Sequence, residues 1–198
     1  MLSSLARLGR RAGHSAAAQT QAIADLLRWR LYNFVPFNVL RRAYLARVFH
    51  ARMGSQSYVH SPLRVVGDHR CSSVLTIGAN STVNFGCYLD LRESITIGEN
   101  TMVGHHCKIY TATHEFNRPT FDLLTLPVVI GDNAVIFPNA LVMPGSQIAQ
   151  GVVVLPGAVF TGESDPWTVY GGVPAQPVGL RNAEVDYRLR YRVWFAQA

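Results

Sequence analysis

Apolar residues recur every sixth position from Ile130: Ile130, Ile136, Val142, Ile148, Val154 and Phe160. Small, polar and turn-forming residues stand between them, as in IGDNAV, IFPNAL and VMPGSQ. A free helix repeats every ~3.6 residues and a half-buried strand about every 2, so neither gives a strict six. A chain that turns a corner every six residues and points one aliphatic side chain inward on each side does. Three such sides close one coil of a β-helix, and a hexapeptide period marks that architecture.

The pattern extends upstream in two further registers. One is Ile77, Val83, Leu89 and Ile95; after a two-residue shift the other is Ile97, Val103 and Ile109. Gly78, Gly98, Gly104 and Gly131 each follow an inward aliphatic, and Asn80, Asn100 and Asn133 fall three residues after an Ile. Both residue types tolerate the left-handed backbone that tight corners need. Residues 58–76 read as a degenerate terminal coil. A break from about His114 to Val128, HEFNRPTFDLLTLP, is too long for a corner. An insertion of this length without regular structure usually serves function, and a solenoid gathers insertions on one face.

The ends follow other rules. Residues 1–18 resemble a transit peptide in composition, though a disordered basic tail is the favoured reading. Residues 19–54 predict helices: one over 19–33, then Pro36, then a second capped by Asn38 and running to about Arg52, with Gly54 after it. Its apolar face is Val39, Leu40, Ala43, Tyr44 and Val48, with Arg41, Arg42, Arg47 and Arg52 outside. The favoured placement is over the open end of the solenoid, covering strand edges; the other is on an anionic membrane surface. The solenoid is assigned to 55–182. A short closing helix is expected within 183–198, leaving Arg181, Arg188, Arg190 and Arg192 exposed.

Charge sharpens this division. Residues 1–54 hold nine Arg and one acid, Asp25, while 55–198 hold nine basic and eleven acidic residues. The net +6 therefore belongs to the N-terminal segment, and no aromatic–basic motif of a nucleic-acid module accompanies it. Cys71, Cys87 and Cys107 lack CxxC spacing and read as reduced core thiols of a cytoplasmic protein. No uncharged apolar run is long enough to span a bilayer.

These repeats, together with TATHEF (Thr111–Phe116), the loop ending at Pro127 and GGVPA (Gly171–Ala175), resemble the hexapeptide-repeat acyltransferases. The nearest likeness is to sugar O-acetyltransferases of the maltose/galactoside and colanic-acid type. The resemblance covers roughly residues 55–182. It implies an all-β fold, a left-handed parallel β-helix, assembled as a homotrimer with sites between subunits. It implies acetyl-CoA as donor, a sugar or glycan hydroxyl as acceptor, and no metal. It makes His114 the general base, since an imidazole titrates near operating pH. Asn84, followed by Phe85, matches an asparagine that holds the acceptor or stabilises the oxyanion. Asp90, Glu115 and Asp122 are candidate sugar-binding acids, with Arg92 where relatives carry an acid. Phe116, Phe121, Leu123 and Leu124 give the loop an apolar underside. On the donor side the resemblance points to Phe137, to the backbone at Ala140, Gly157 and Ala158, and to Arg181 near the coenzyme phosphate. Here Phe137-Pro138 replaces a Gly-containing run, and Gln176-Pro177 follows G-V-P-A.

Two other functions fit the same fold. One is a non-catalytic scaffold subunit. The other is a zinc-dependent γ-type carbonic anhydrase, for which His69, His105, His106 and His114 would supply ligands.

Overall fold

The computed structural model describes residues 20–189 except 21, 22, 25, 29, 36 and 68–74. The basic tail, His69, Cys71, Arg190 and Arg192 lie outside the described residues.

Parallel strands stack into a solenoid with three faces. The first face stacks Arg52–Met53, Leu75–Ile77, Ile95–Ile97, Val128–Ile130 and Gln147–Ile148. The second stacks Tyr58–Val59, Thr82–Val83, Met102–Val103, Val135–Ile136, Val153–Val154 and Thr168–Gly171. The third stacks Arg64–Val66, Tyr88–Asp90, Lys108–Ile109, Leu141–Val142 and Val159–Phe160. Below, the first corner joins the first and second faces, the second corner the second and third, and the third corner leads to the next coil.

Every inward position of the three sequence registers, Ile77 through Phe160, is at most 2% exposed. They form one column per face, because strands pair in register: Ile77 with Ile97, Ile97 with Ile130, Ile130 with Ile148. The two-residue shift has a physical cause. On the first face Ile95 and Ile97 are both buried with Thr96 between them, so that side takes two inward residues. Asn80, Asn100 and Asn133 adopt left-handed φ of 56°, 52° and 56° at the first corner. The neighbouring glycines serve a different need. A Cβ on Gly78 would sit 2.5 Å from the Gly98 carbonyl, so these glycines allow close stacking of coils.

Both edges of the second face are covered. At the near edge stands the helix Asn38–Val48. Asn38 does not cap it; its Nδ2 donates to the Ser57 carbonyl (3.1 Å) and its Oδ1 accepts from the Val59 N–H (3.3 Å). The asparagine thus stands in for a missing strand. The expected faces of this helix hold for Ala43, Tyr44, Val48 and Arg47 but fail at three positions. Arg41 and Leu45 are buried, whereas Val39 is 72% and Leu40 50% exposed. Arg41 can be inside because its Nε donates to the Val35 carbonyl (2.6 Å) and Nη2 to Ser61 Oγ (3.1 Å). Arg52 is already in a strand, paired with Thr76, which ends the helix before the expected boundary. The described residues between 20 and 34 are helical. No helix among the described residues is long and apolar enough to cross a membrane.

At the far edge Gln176–Leu180 folds back antiparallel on Thr168–Gly171. The closing helix expected beyond it does not form over 183–189; these residues are irregular. They lie along the first corner, where Asn100 Nδ2 donates to the Tyr187 carbonyl (2.9 Å) and Asn100 Oδ1 accepts from the Leu189 N–H (2.8 Å). Bonds to the solenoid replace the bonds a helix would make with itself.

Candidate active site

The break in the repeat has regular structure of its own. Ala112–His114 and Leu123–Thr125 form an antiparallel hairpin that leaves the third corner. Buried Thr111 roots it: its Oγ1 donates to the Asp90 carbonyl (2.7 Å) and accepts from the Glu93 N–H (3.0 Å). The Leu126 N–H donates to the Thr111 carbonyl (2.8 Å) and closes the base of the hairpin.

His114 ends the first strand of the hairpin, exposed and opposite Leu123. Its Nδ1 lies 3.0 Å from the Phe121 carbonyl oxygen, and the Phe121 ring stacks on the imidazole at 4.3 Å and 7°. A carbonyl only accepts, so Nδ1 carries the hydrogen and, in the neutral ring, Nε2 keeps its lone pair. Phe121 adopts a left-handed φ of 48°, within the turn that brings its carbonyl to the ring. Of the two loop acids, Asp122 uses a side-chain oxygen within the hairpin turn, and Glu115 joins the turn through its main chain. The Glu115 N–H donates to the Asp122 carbonyl (2.9 Å), and Asp122 Oδ2 accepts from Thr120 Oγ1 (2.5 Å). Sequence reasoning missed the main-chain role of Phe121; a carbonyl leaves no mark on side-chain identity.

Asn84 lies at the second corner, 6% exposed, with Nδ2 donating to the Val103 carbonyl (2.9 Å). It helps line a cavity of about 140 Å³ with Thr82, Met102 and Leu189. The Thr82 hydroxyl is buried without a hydrogen-bond partner. Leu189 comes from the C-terminal segment, so that segment roofs the Asn84 cavity. Nothing in the sequence pattern marked Leu189. Phe85 is 40% exposed and packs on His105 (4.3 Å) and His106 (5.2 Å).

Asp90 does not present an acid to a substrate. Its side chain is fully buried, and both oxygens accept from Arg92, from Nε at 2.9 Å and Nη2 at 2.7 Å. The Asp90 carboxylate in turn raises the Arg92 pKa. Arg92 thus neutralises the acid two residues before it.

The donor-side candidates divide. Phe137, Ala140, Gly157 and Ala158 share the second corner. Their amides are already used: the Ala140 N–H donates to the Phe137 carbonyl (3.3 Å), Gly157 to Pro138 (3.2 Å), Ala158 to Leu155 (3.2 Å) and Phe137 to Val154 (2.9 Å). Arg181 stands away from them, at the first corner. Its Nη1 donates to the Asn133 (2.6 Å) and Gly151 (3.1 Å) carbonyls, and Nη2 to the Tyr187 hydroxyl (2.5 Å). It also lies over the rings of Trp167 and Tyr187. Its work is to pin the C-terminal segment.

His105 and His106 sit at the second corner and His114 beyond the third, so these histidines do not converge. Cys87 and Cys107 are buried free thiols on adjacent coils; the bond with Cys107 and burial hold the Cys87 thiol protonated. His114 and Asn84 are likewise separated, by the width of the third face.

The bacterial transferase hexapeptide pattern, in its six-repeat form, matches residues 127–162. A Schizosaccharomyces pombe protein whose name provisionally describes it as an acetyltransferase is 37% identical over 105 residues, 51% of this chain and 50% of that protein. The chain thus spans about half the length of that curated relative. A maltose O-acetyltransferase structure from Clostridium difficile 630 superposes with TM-score 0.70 and 27% identity, covering 82% of this chain and 87% of the other. A hexapeptide-repeat acetyltransferase of Vibrio cholerae O1 biovar eltor, solved with acetyl-coenzyme A, gives TM-score 0.70 at 24% identity, covering 86% and 92%. At that identity the likeness speaks for the fold. The repeat over 127–162 matches the hexapeptide pattern, and the fold is the one seen in these hexapeptide-repeat structures.

Proposed function

We propose that this chain is an acetyl-CoA-dependent O-acetyltransferase acting on a hydroxyl of a sugar or glycan. The observation that carries the reading is His114, held at the lip of a rooted hairpin with Nδ1 donated to a main-chain carbonyl and Nε2 left as a base. The named relatives support the transferase class, and the maltose O-acetyltransferase supports a carbohydrate acceptor.

In this reading Nε2 takes the proton of the acceptor hydroxyl as its oxygen attacks the thioester carbonyl carbon. A tetrahedral oxyanion forms, and amide donors such as Asn84 Nδ2 stabilise it. The C–S bond then breaks, and the imidazolium returns its proton to the departing sulfur, giving the acetyl ester and free coenzyme A. The base is worth roughly 10²–10⁴-fold. Because His114 and Asn84 lie at different corners of one chain, a site holding both needs a second copy. A homotrimer with the site between subunits supplies it.

A scaffold without activity draws support from the amides of Phe137, Ala140, Gly157 and Ala158, each already donated to a carbonyl. Calorimetric titration separates the two readings: binding of coenzyme A supports the enzyme, and no binding at millimolar ligand supports the scaffold. For the enzyme, thiol release from acetyl-CoA is followed across a panel of sugars and glycan intermediates. His114→Ala should lower turnover at least about a hundredfold while the far-UV spectrum and molar mass stay unchanged. Near-normal turnover in that variant would sink the mechanism.

A further inference from the structure

The helical residues before Asn38 present their apolar side outward. Ile23, Leu26, Leu27, Leu31 and Phe34 follow i, i+3, i+4 spacing and are 54–83% exposed. Val39 and Leu40, at the start of the next helix, extend the patch. The opposite side holds the segment to the helix Asn38–Val48. Tyr32 is fully buried, its ring 6.2 Å from that of Tyr44, and the Tyr44 hydroxyl donates to the Arg28 carbonyl (2.8 Å). Two docked helices therefore leave a continuous apolar surface facing away from the core. A patch of this kind marks an interaction surface.

Charge selects the occupant. Nine Arg and one acid lie in residues 1–54, and Arg30 and Arg47 are exposed in the same two helical segments. A second copy meeting this surface with its own would set arginine against arginine. The remainder of the chain has two more acids than bases, spread over residues 55–198. An anionic bilayer offers apolar depth and negative charge together, the pair that an interfacial helix with arginines along its apolar stripe requires. We infer that the outward face of residues 23–40 docks on the surface of an anionic lipid bilayer. It lies on the surface and does not span it.

The test is co-sedimentation of the full chain with vesicles of phosphatidylcholine, with and without phosphatidylserine, at low and high salt. Mass from light scattering is read on the same samples. The expected result is binding to the phosphatidylserine vesicles that weakens with salt. Leu31→Glu with Phe34→Glu should reduce it by roughly tenfold or more, and Arg30→Gln with Arg47→Gln should reduce it and lessen its salt dependence. The inference is overturned if the wild-type chain stays in the supernatant, or if neither pair changes the pelleted fraction. It is also overturned if the Glu pair lowers the molar mass without altering vesicle binding, which makes this face a contact between copies. Should the Glu pair fail to fold, Ile23→Ser with Leu27→Ser repeats the measurement with a milder change.

Discussion

A histidine acts as a base at neutral pH only if one ring nitrogen keeps its lone pair. His114 is exposed and takes its orientation from one main-chain carbonyl. His60 is buried at the second corner, its ring 4.5 Å from Tyr58. Burial first, then the charge of Arg41, then His105, lower its pKa to about 4. The unfolded chain binds a proton at this residue near the ordinary value of about 6.5. Stability from the neutral buried ring is therefore full above about 6.5 and is lost as pH falls from there towards about 4. Thermal unfolding should show a midpoint that drops between about pH 7 and about pH 5. In His60→Gln the drop should be shallower. An equal drop in both proteins would show that other groups govern the acid limb.

Two elements carry the candidate site, and they were not equally legible. The hairpin of Ala112–His114 and Leu123–Thr125 was visible as a break in the six-residue pattern, because interruption of a strict period is itself a signal. The thirteen inward apolar positions, Ile77 through Phe160, were legible for the same reason: a repeated geometric demand writes a repeated residue type. The arginines were not. A helical period allows several faces, and here carbonyl groups at Val35 and Gly54 make a place for Arg41 and Arg42 that hydrophobic spacing cannot register. The irregular course of residues 183–189 was not legible because it depends on bonds to Asn100, far away in sequence, and on Arg181. Arg181 grips Tyr187, and Tyr187 leads into Leu189, the roof of the Asn84 cavity. If that cavity receives the acceptor, Leu189→Ala should raise the acceptor KM by roughly tenfold with little change in kcat. Arg181→Ala should move KM in the same direction, since it acts through the same segment. Steady-state kinetics with a fixed acetyl-CoA concentration measures both. Unchanged KM values would leave the segment a purely structural strap.

At the scale of the molecule, a triangular solenoid separates its corners by the width of a face, and that geometry constrains catalysis more than any single residue does. Each coil stacks on the last through paired strands and a tight glycine column, so the corners cannot fold towards one another. The proposed trimer draws His114, beyond the third corner, and Asn84, at the second, from two chains. Mixed assemblies test this directly. A His114→Ala chain keeps Asn84, and an Asn84→Ala chain keeps His114. Where they adjoin in one trimer, one interface joins the intact His114 to the intact Asn84. Co-expressed chains with two different purification tags should therefore recover activity well above either variant alone. Separately purified homotrimers, mixed without subunit exchange, should not. If both catalytic groups came from the same chain, every site in the mixed trimer would lack one of them, and recovery would be absent however the subunits were combined.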